Sequence, residues 1–395
     1  MLKFKEWADR NLQGDRVIWA VVFALSLISI LVVYSSIGTL AYKHSASPES
    51  LLLRHTFTVF VGLAAMWAAH RVDYRYYSRL SKLALWISIP LLIYTFTNGV
   101  SLNDASRWIA VPIVGSFQPS DFASLALIVN LASMLSKRQQ NIEDIKESLI
   151  PILFWSGMIC GLIALTNLST AVLLLITCML IMFIGRVPTK YLAMLVFVGV
   201  LFGALAIKFG VRGETAKHRI ESFFKGSELP FQAKHARIAV ATGGVLGKGP
   251  GNSDQRNILP HPYSDFVYAI IIEEYGMFGG IVVLGLYLLL LHRGMKASYN
   301  SERAFGGLLS AGLCFDLVCQ AMVNMGVVVG LGPITGQPLP LVSMGGTSMV
   351  FTGLSLGIVL SVSRGERDQA WGEKENSETT EVKGTKNVAA AKAAA

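Results

Sequence analysis

Long uncharged apolar segments constrain this chain more than any other feature. Two of them, Val17 to Ser36 and Ser169 to Gly185, approach the roughly 20 residues that an α-helix needs to cross a hydrocarbon core of about 30 Å. Of the 395 residues, 53% are hydrophobic and 15% are charged, whereas soluble domains carry about 25% charged residues. The sequence therefore predicts a protein embedded in a bilayer.

Ten such segments are predicted to be transmembrane helices, which makes the fold class all-α and polytopic. The spans cover residues 17–36, 55–70, 80–98, 118–136, 149–166, 169–186, 189–209, 265–291, 305–330 and 342–363. They form a membrane domain over residues 17–363, between a cytoplasmic N-terminal segment, 1–16, and a tail, 364–395, that is too polar to fold alone. The first span is predicted to be a retained helix, because no signal-peptide cleavage site follows it.

The distribution of Lys and Arg predicts the orientation. With the N-terminus in the cytoplasm, the short inner loops carry eleven of these residues and the short outer loops carry three, as the positive-inside rule requires. Residues 210–264 form a large outer loop with eight more, but loops of this length cross the membrane largely regardless of charge. Both termini are therefore predicted to be cytoplasmic. The net charge of +9 is explained by basic loops that face anionic lipid head groups. Binding to nucleic acid is not needed to explain it.

The sequence lacks the motifs of a disulfide-bonded protein, of a metal site and of a nucleotide-driven pump. The cysteines lie inside predicted spans and have neither disulfide nor zinc spacing, and the outer-loop histidines lack metal-ligand spacing. These residues are Cys160, Cys178, Cys314, Cys319, His218, His235 and His261. The sequence contains no Walker phosphate loop, which argues against a nucleotide-driven pump.

Acidic residues inside predicted spans are functional candidates, because a charge in hydrocarbon is costly. They are Asp121 in the fourth span, Glu273 and Glu274 in the eighth, and Asp316 in the ninth. For Glu273 and Glu274 the alternative is a structural pairing with an Arg or with backbone groups in the bundle, and for Asp316 it is a polar contact between packed helices.

Asp265 lies where the large outer loop meets the eighth span. In a continuous helix, Glu273 would lie roughly 12 Å deeper in the membrane than Asp265. Asp265 would then lie at the depth at which a head group on the outer surface is presented. Aspartate is also a favoured N-cap residue, so capping of the eighth span is an open alternative.

Two irregular segments flank this position. Glycines around Lys248 would let backbone N–H groups approach an anion, with the lysine as a point charge, although a solvated surface loop has the same composition. The Pro- and Gly-rich segment from Gly332 to Pro340 interrupts the helical pattern. Irregular backbone at this depth is tolerated only where it is buried in protein or lines a cavity.

The order of several motifs resembles the SEDS family, the proteins of shape, elongation, division and sporulation. The motifs are Arg107-Trp108-Ile109, Gln118-Pro119-Ser120-Asp121, Asn167-Leu168-Ser169-Thr170-Ala171, Gly243-Gly244 with Gly247-Lys248-Gly249, Leu259-Pro260 with Asp265-Phe266 and Glu273-Glu274-Tyr275-Gly276, and Pro333, Thr335-Gly336, Leu339-Pro340 with Ser343-Met344-Gly345-Gly346. The resemblance covers residues 15–363 and includes the family's ten spans with a large loop between the seventh and the eighth.

The resemblance implies a glycosyltransferase that polymerises lipid II at the outer face of the bacterial cytoplasmic membrane. The family's essential aspartate matches Asp265, which then serves as the general base for the acceptor hydroxyl and not as a cap. Side chains that could bind substrate or its pyrophosphate are Arg107, Arg219, Lys248, Gln118 and Ser343. A divalent cation, Mg²⁺ or Mn²⁺, could share this task with Asp265 as a ligand. No organic cofactor is expected.

Within the family, Gly249-Pro250-Gly251-Asn252-Ser253 is more similar to the division branch, FtsW, than to the elongation branch, RodA. The division branch implies a class B penicillin-binding protein, a transpeptidase, as partner, together with other divisome proteins. RodA-type polymerisation, a lipid II flippase that uses the intramembrane acidic residues, and a non-catalytic scaffold are the alternatives.

The sequence departs from the family at two positions. The family's Glu and Lys, three residues apart, are Asp121 and Ser124 here. Ser124 cannot supply the positive charge, so Asp121 needs another partner or a proton. Asn167 stands where the family has an aspartate before Leu-Gly-Thr.

Overall fold

The computed structural model describes residues 11–38, 47–98, 100–102, 105–111, 115–139, 144–209, 213–225 and 229–365. The helices are α1 (Arg16–Ser36), α2 (Pro48–Arg71), α3 (Tyr74–Asn98), α4 (Pro119–Lys137), α5 (Ile150–Thr166), α6 (Leu168–Ile184), α7 (Thr189–Phe209), α8 (Gly213–Lys225), α9 (Phe231–Gly243), α10 (Val267–Asn300), α11 (Ala304–Val328) and α12 (Thr347–Gly365). A π-helical turn, Ile145–Leu149, precedes α5, and a 3₁₀ turn, Gln255–Asn257, lies between α9 and α10.

Ten of these helices correspond to the predicted spans. Within the described residues, nine are long and apolar enough to cross a bilayer, and the tenth, α6, is as apolar but has 17 residues. The all-α polytopic prediction is confirmed. The predicted segments 1–16 and 364–395 lie largely outside the described residues, so their order stays a prediction.

Helix ends are fixed by identifiable side chains. Asp15 caps α1, since its Oδ1 accepts hydrogen bonds from the N–H groups of Val17 and Ile18 at 2.7 and 3.4 Å. Its other oxygen binds Nε of Arg293 on α10 at 2.7 Å. This carboxylate therefore joins the start of α1 to the far end of α10, at the end of the bundle that is predicted to face the cytoplasm.

A small antiparallel sheet between α3 and α4 was not predicted. Its strands are β1 (Val100–Leu102), β2 (Ala105–Val111) and β3 (Gly115–Phe117), in the order β1-β2-β3. The strands are short and carry no long apolar run, which is why a search for spans passes over them. The sheet lies at the end of the bundle where α1 and α11 finish, called the outer end below.

Helix α10 is broken at Gly276. Its 34 residues would measure about 51 Å if straight, far more than a hydrocarbon core of about 30 Å. Gly276 has φ 69° and ψ −173°, a conformation that is essentially restricted to glycine. The hydroxyl of Tyr268 donates to the carbonyl of Gly280 at 3.1 Å, although twelve residues of straight helix would separate them by about 18 Å. Residues 267–275 therefore fold back against residues 277–300.

A turn of the outer loop satisfies the backbone groups that this break exposes. The N–H groups of Met277 and Phe278 donate to the carbonyls of Gly244 and Val245 at 2.9 and 3.3 Å. In return, the N–H groups of residues 248 and 249 donate at 2.9 Å to the carbonyls of residues 273 and 274. The backbone groups at the break are thus hydrogen-bonded by a turn that lies more than twenty residues earlier in the chain.

The Pro- and Gly-rich segment between α11 and α12 dips into the bundle from the outer end. Ser29, two turns below the end of α1, donates to the carbonyl of Val342 at 2.8 Å, and the Tyr287 hydroxyl of α10 donates to the carbonyl of Pro340. Its irregular backbone therefore packs against protein at these two points, which is one of the two situations that the sequence analysis allowed.

Candidate functional site

The backbone around Asp265 is fixed by contacts from two other elements. The side-chain amide of Asn324 on α11 donates to the Asp265 carbonyl at 2.8 Å. From the dipping segment, the Ser343 hydroxyl donates to the carbonyl of Ser264 at 2.5 Å, and the Met344 N–H donates to the carbonyl of Tyr263 at 2.8 Å. These contacts hold residues 263–265 inside the outer end of the bundle.

The side chain of Asp265 is much less constrained than its backbone. It is partly exposed, and in the described part of the chain its carboxylate accepts a hydrogen bond from the Ser264 hydroxyl at 3.0 Å. The capping alternative is wrong: α10 begins at Val267, and its N-cap is Phe266, without a side-chain cap. The carboxylate is therefore positioned without being used to stabilise the helix.

The predicted depth of Asp265 relative to Glu273 is also wrong. Because residues 267–275 fold back at Gly276, this half-helix rises toward the outer end instead of descending from it. Glu274, near its top, accepts a hydrogen bond from Ser35, one residue before the end of α1. Asp265 lies below the two glutamates, within the bundle, and the prediction failed because it assumed a continuous helix.

Glu273 is fully buried and saturated with hydrogen bonds. Its carboxylate accepts from Lys248 Nζ at 2.7 Å, from Ser253 Oγ at 2.5 Å and from the Gln255 N–H at 3.2 Å. Lys248 also donates to Asp254 at 2.8 Å, and these two carboxylates raise the pKa of Lys248. This lysine therefore anchors the outer loop to α10, which argues against its predicted role as a pyrophosphate ligand.

Two of the four intramembrane candidates, Asp121 and Asp316, line one small cavity of about 50 Å³ together with Ser124. Asp121 and Ser124 contribute from α4, and Asp316 contributes from α11. Gln118 donates to Asp121 at 2.8 Å and supplies the partner that the departure from the family pattern required. Asp316 accepts a long hydrogen bond, 3.4 Å, from Thr177 on α6. Glu273 and Glu274 do not belong to this cavity.

The remaining candidates are spread around the outer end. Arg219 on α8 donates to the carbonyl of Ile334 at 3.2 Å and so touches the dipping segment. Arg107 lies on β2, and its side chain lies outside the described part. Ser343 accepts from the N–H of Leu339 while it donates to Ser264, which makes it a support for the aspartate loop and not an exposed ligand.

The sequence analysis missed two uncharged residues that organise the site. Asn324 is buried and bridges the carbonyls of Asp265 and Gln337 at 2.8 and 2.7 Å. Gln337, also buried, donates to the Thr170 hydroxyl at the start of α6 at 2.7 Å. An amide inside a predicted span is also costly to desolvate, although less so than an acid, so a search that included Asn and Gln would have found Asn324.

The described residues contain no group of three or more His, Cys, Asp or Glu side chains that could hold a metal ion. Asp265 could contribute one carboxylate to such a site. Mg²⁺ is often held by one or two carboxylates together with substrate phosphates, and this arrangement is compatible with that mode of binding.

Comparison with known proteins gives a consistent result over nearly the whole chain. Residues 15–368 match the family model of FtsW, RodA and SpoVE, described as cell cycle protein. Stage V sporulation protein E of Bacillus subtilis is 32% identical over 365 residues, which cover 89% of this chain and 98% of that protein. The probable peptidoglycan glycosyltransferase FtsW of Geobacter metallireducens is 31% identical, over 88% of this chain and 94% of its own.

One solved structure agrees with both the fold and this assignment. It comes from a study titled as the structural coordination of polymerization and crosslinking by a peptidoglycan synthase complex. The chain matches with a TM-score of 0.71 and 25% identity, over 89% of this chain and 98% of the other.

Proposed function

Because this chain belongs to the SEDS family, the FtsW, RodA and SpoVE cell-cycle proteins, we propose that it polymerises lipid II into glycan strands at the outer face of the cytoplasmic membrane. It is a multi-pass membrane protein and a peptidoglycan glycosyltransferase, as its relatives' names support. The observation that carries the proposal is that Asn324 holds the backbone of Asp265 while the carboxylate stays partly exposed within the bundle, below its outer end.

The chemistry suits a carboxylate in this position. The acceptor sugar hydroxyl attacks the anomeric carbon of the donor, and Asp265 takes the hydroxyl proton. A new carbon–oxygen bond forms as the bond from the anomeric carbon to the pyrophosphate breaks, and the lipid pyrophosphate leaves with the electron pair. Arg219 and Arg107 are the cations proposed to stabilise the charge that develops on this leaving group.

A divalent cation remains part of the proposal. Mg²⁺ or Mn²⁺ would be held by Asp265 together with oxygens of the substrate, and it would neutralise the pyrophosphate. No organic cofactor is proposed, and lipid II is proposed as both donor and acceptor.

The proposal also assigns this chain to the division branch of the family. Support comes from Gly249-Pro250-Gly251-Asn252-Ser253 in the outer loop and from relatives named FtsW. The sporulation relative and the RodA branch of the family are the alternatives. A class B penicillin-binding protein and further divisome proteins are proposed as partners, in keeping with the synthase complex among the similar structures.

A lipid II flippase is less well supported. The predicted polar path combined Asp121, Glu273 and Asp316, but only the two aspartates share a cavity, of about 50 Å³. Glu273 is instead buried against Lys248 at the outer end. The chemistry therefore concentrates where an outward-facing polymerase needs it.

Polymerisation of purified lipid II by the purified protein tests the proposal. We expect glycan strands on a denaturing gel, with a higher yield when a cognate class B penicillin-binding protein is added. Proteoliposomes that translocate fluorescent lipid II while the same preparation makes no strands, with or without the transpeptidase, would favour the flippase instead.

The proposed orientation, with both termini cytoplasmic, is tested by cysteine labelling. Leu246→Cys lies on the outer-loop turn and Tyr299→Cys at the opposite end of α10, at side chains that are 84% and 91% exposed. In a Cys319→Ser background, an impermeant maleimide added to intact spheroplasts should label position 246 and not position 299. Permeabilised cells, in which both should react, are the control, and the reverse pattern would overturn the orientation.

A further inference from the structure

A buried histidine that the proposed reaction does not use lies behind the aspartate loop, residues 263–265. His55 is on α2, about two turns from the outer end of that helix, and is 1% exposed. Its Nε2 lies 2.9 Å from the hydroxyl of Ser29 on α1, a serine that is fully buried. The same hydroxyl donates to the carbonyl of Val342, in the dipping segment, at 2.8 Å. One serine therefore connects His55 to the dipping segment.

A count of hydrogens determines which ring nitrogen of His55 is protonated. A serine hydroxyl has one hydrogen, and Ser29 donates it to Val342. The Ser29 oxygen must then accept a hydrogen bond from the histidine, so Nε2 carries a hydrogen. In the other neutral tautomer, Nε2 and the Val342 carbonyl would be two acceptors facing one hydrogen. Nδ1 is buried without a hydrogen-bond partner among the described residues, so the contact with Ser29 is the hydrogen bond that orients the ring.

This donor also determines which carbonyl Ser29 binds. A serine within a helix often donates to a carbonyl of its own preceding turn. Ser36, on the same helix, does so, with its hydroxyl 3.2 Å from the carbonyl of Val33. Ser29 donates to a different element instead. Because His55 donates to the Ser29 oxygen, the hydroxyl hydrogen is directed away from the ring and toward Val342.

The two residues after Val342 hold the aspartate loop. The Ser343 hydroxyl donates to the carbonyl of residue 264 at 2.5 Å, and the Met344 N–H donates to the carbonyl of residue 263 at 2.8 Å. The dipping segment and the aspartate loop also share a small apolar cluster with the end of α1. A displacement of Val342 would therefore move the loop that carries Asp265.

We propose that His55 is a positioning residue for Asp265. Its Nε2–H orients the Ser29 hydroxyl, which holds the dipping segment, and this segment sets the position of the Asp265 carboxylate. The effect on the reaction rests on the proposed function, whereas the hydrogen-bonded link itself does not. Because His55 contacts no reacting atom, its loss should lower kcat for lipid II and leave KM unchanged. A displacement of about 1 Å costs a reaction up to about 10²-fold, so we expect a loss of roughly tenfold or more.

Substitutions at His55 distinguish a hydrogen-bond donor from a packing group. The amide nitrogen of Gln reaches about as far as Nε2 of His, whereas that of Asn is one carbon shorter. His55→Gln should therefore keep most of the activity, and His55→Asn should lose roughly tenfold in kcat. Equal losses in the two variants would assign His55 a packing role and overturn the proposal.

His70→Leu is the matched control for these variants. His70 is a fully buried histidine on the same helix, and its ring contacts the carbonyl of Trp67, within that helix. Its kcat per folded molecule should stay near that of wild type. A loss as large as that of His55→Asn would show that any buried histidine of α2 has this effect, which contradicts a specific link.

Hydrogen exchange tests the link without the reaction, in the purified full chain in nanodiscs. The N–H groups of Ser343 and Met344 are both hydrogen-bonded. Their exchange should be about fivefold faster in His55→Asn than in wild type, about the ratio that one hydrogen bond supplies, and unchanged in His55→Gln and His70→Leu. Unchanged exchange in His55→Asn would refute the link even in a protein that makes strands. Faster exchange in a protein whose wild type makes no strands would keep the link and refute the proposed function.

Ser29→Ala tests the middle of the link and removes only a hydroxyl. It should lower kcat about as much as His55→Asn does. The double variant should be no worse than either single variant, because both changes break one chain of hydrogen bonds. Wild-type kcat in Ser29→Ala, or losses that add in the double variant, would show that His55 does not act through this serine and would overturn the proposal.

Discussion

Asp265, two residues before α10, and Glu273, in its first half, are carboxylates eight residues apart whose surroundings are opposite. The Glu273 side chain is fully buried and bound by Lys248, Ser253 and backbone N–H groups. At Asp265 the partners hold the backbone, through Asn324, while the carboxylate contacts Ser264 and stays partly exposed.

The difference separates an acid that stabilises the fold from the acid that is proposed to act in the reaction. A carboxylate whose lone pairs are filled by the protein stabilises the fold and has little capacity left for substrate. A carboxylate that is held by its backbone keeps a defined position and still has free acceptor sites. Both residues lie in motifs that resemble the family, but the resemblance matched only Asp265 to its essential aspartate, and the contacts of the two side chains differ accordingly.

The largest expected effect is that of Asp265→Asn on activity. The amide keeps the size of the side chain and leaves the contacts of the backbone carbonyl unchanged, but it removes the base. Polymerisation of lipid II should fall roughly 10²–10⁴-fold, with a thermal unfolding midpoint near that of wild type. A variant that polymerises at a near wild-type rate would remove Asp265 from the chemistry.

Gly276→Ala should cost about 3 kcal/mol or more of stability. The glycine-only backbone region accounts for about 1–3 kcal/mol, and the new Cβ would lie 2.1 Å from the carbonyl oxygen of Val245. The matched control is Gly285→Ala in the same helix, where an added Cβ meets nothing within 4 Å. Thermal denaturation in detergent should show a large loss for the first variant and none for the second; equal stability would mean that α10 tolerates a continuous helix.

Glu273→Gln should lower stability by about 1–3 kcal/mol, because buried donors lose a charged acceptor. Lys248→Met should cost less, since this lysine is 26% exposed, and the double variant should show that the two effects are coupled. Activity per folded molecule should stay within about threefold of wild type. If Lys248→Met instead abolished polymerisation at unchanged stability, Lys248 would be a pyrophosphate ligand after all.

The smallest expected effect is that of Ser124→Lys. A lysine here would place an ammonium in the cavity shared by Asp121 and Asp316 and restore the family's charge pair. A gain of about 0.6 kcal/mol is expected, the average for intramembrane polar contacts, read as a slightly higher unfolding midpoint. Ser133→Lys, at another buried serine of α4 outside this cavity, should destabilise; a similar loss for both would show that Asp121 is already committed to Gln118.

Hydropathy predicted the spans well, because each helix must satisfy its own backbone in lipid. Hydropathy did not predict the helix break at Gly276, because a glycine within an apolar run usually continues the helix. The partner that makes this break possible, the turn from Gly244 to Gly249, is remote in sequence. The hydropathy of one segment therefore cannot predict hydrogen bonds to a turn elsewhere in the chain.

The sequence predicted some residues of the candidate site and missed others, and the difference has a physical reason. Acidic residues in spans are easy to notice because desolvating a charge costs free energy, so Asp121, Glu273 and Asp316 were found. This cost does not tell which of the carboxylates has its hydrogen bonds filled by the protein. The role proposed for Asp265 came from the resemblance. Asn324 and Gln337 were missed because the search within the spans covered only acidic residues and Gln337 lies outside the spans, although their hydrogen bonds join the aspartate to α6 and α11.

The turn that closes the broken helix also orders biosynthesis. Four backbone groups of α10, at residues 273, 274, 277 and 278, find their partners in the outer loop. In hydrocarbon, each would otherwise cost several kcal/mol. In the proposed orientation, the loop has to cross the membrane before these four groups can reach their partners. The final packing of the eighth spanning helix would then depend on the export of a polar loop that precedes it in the chain.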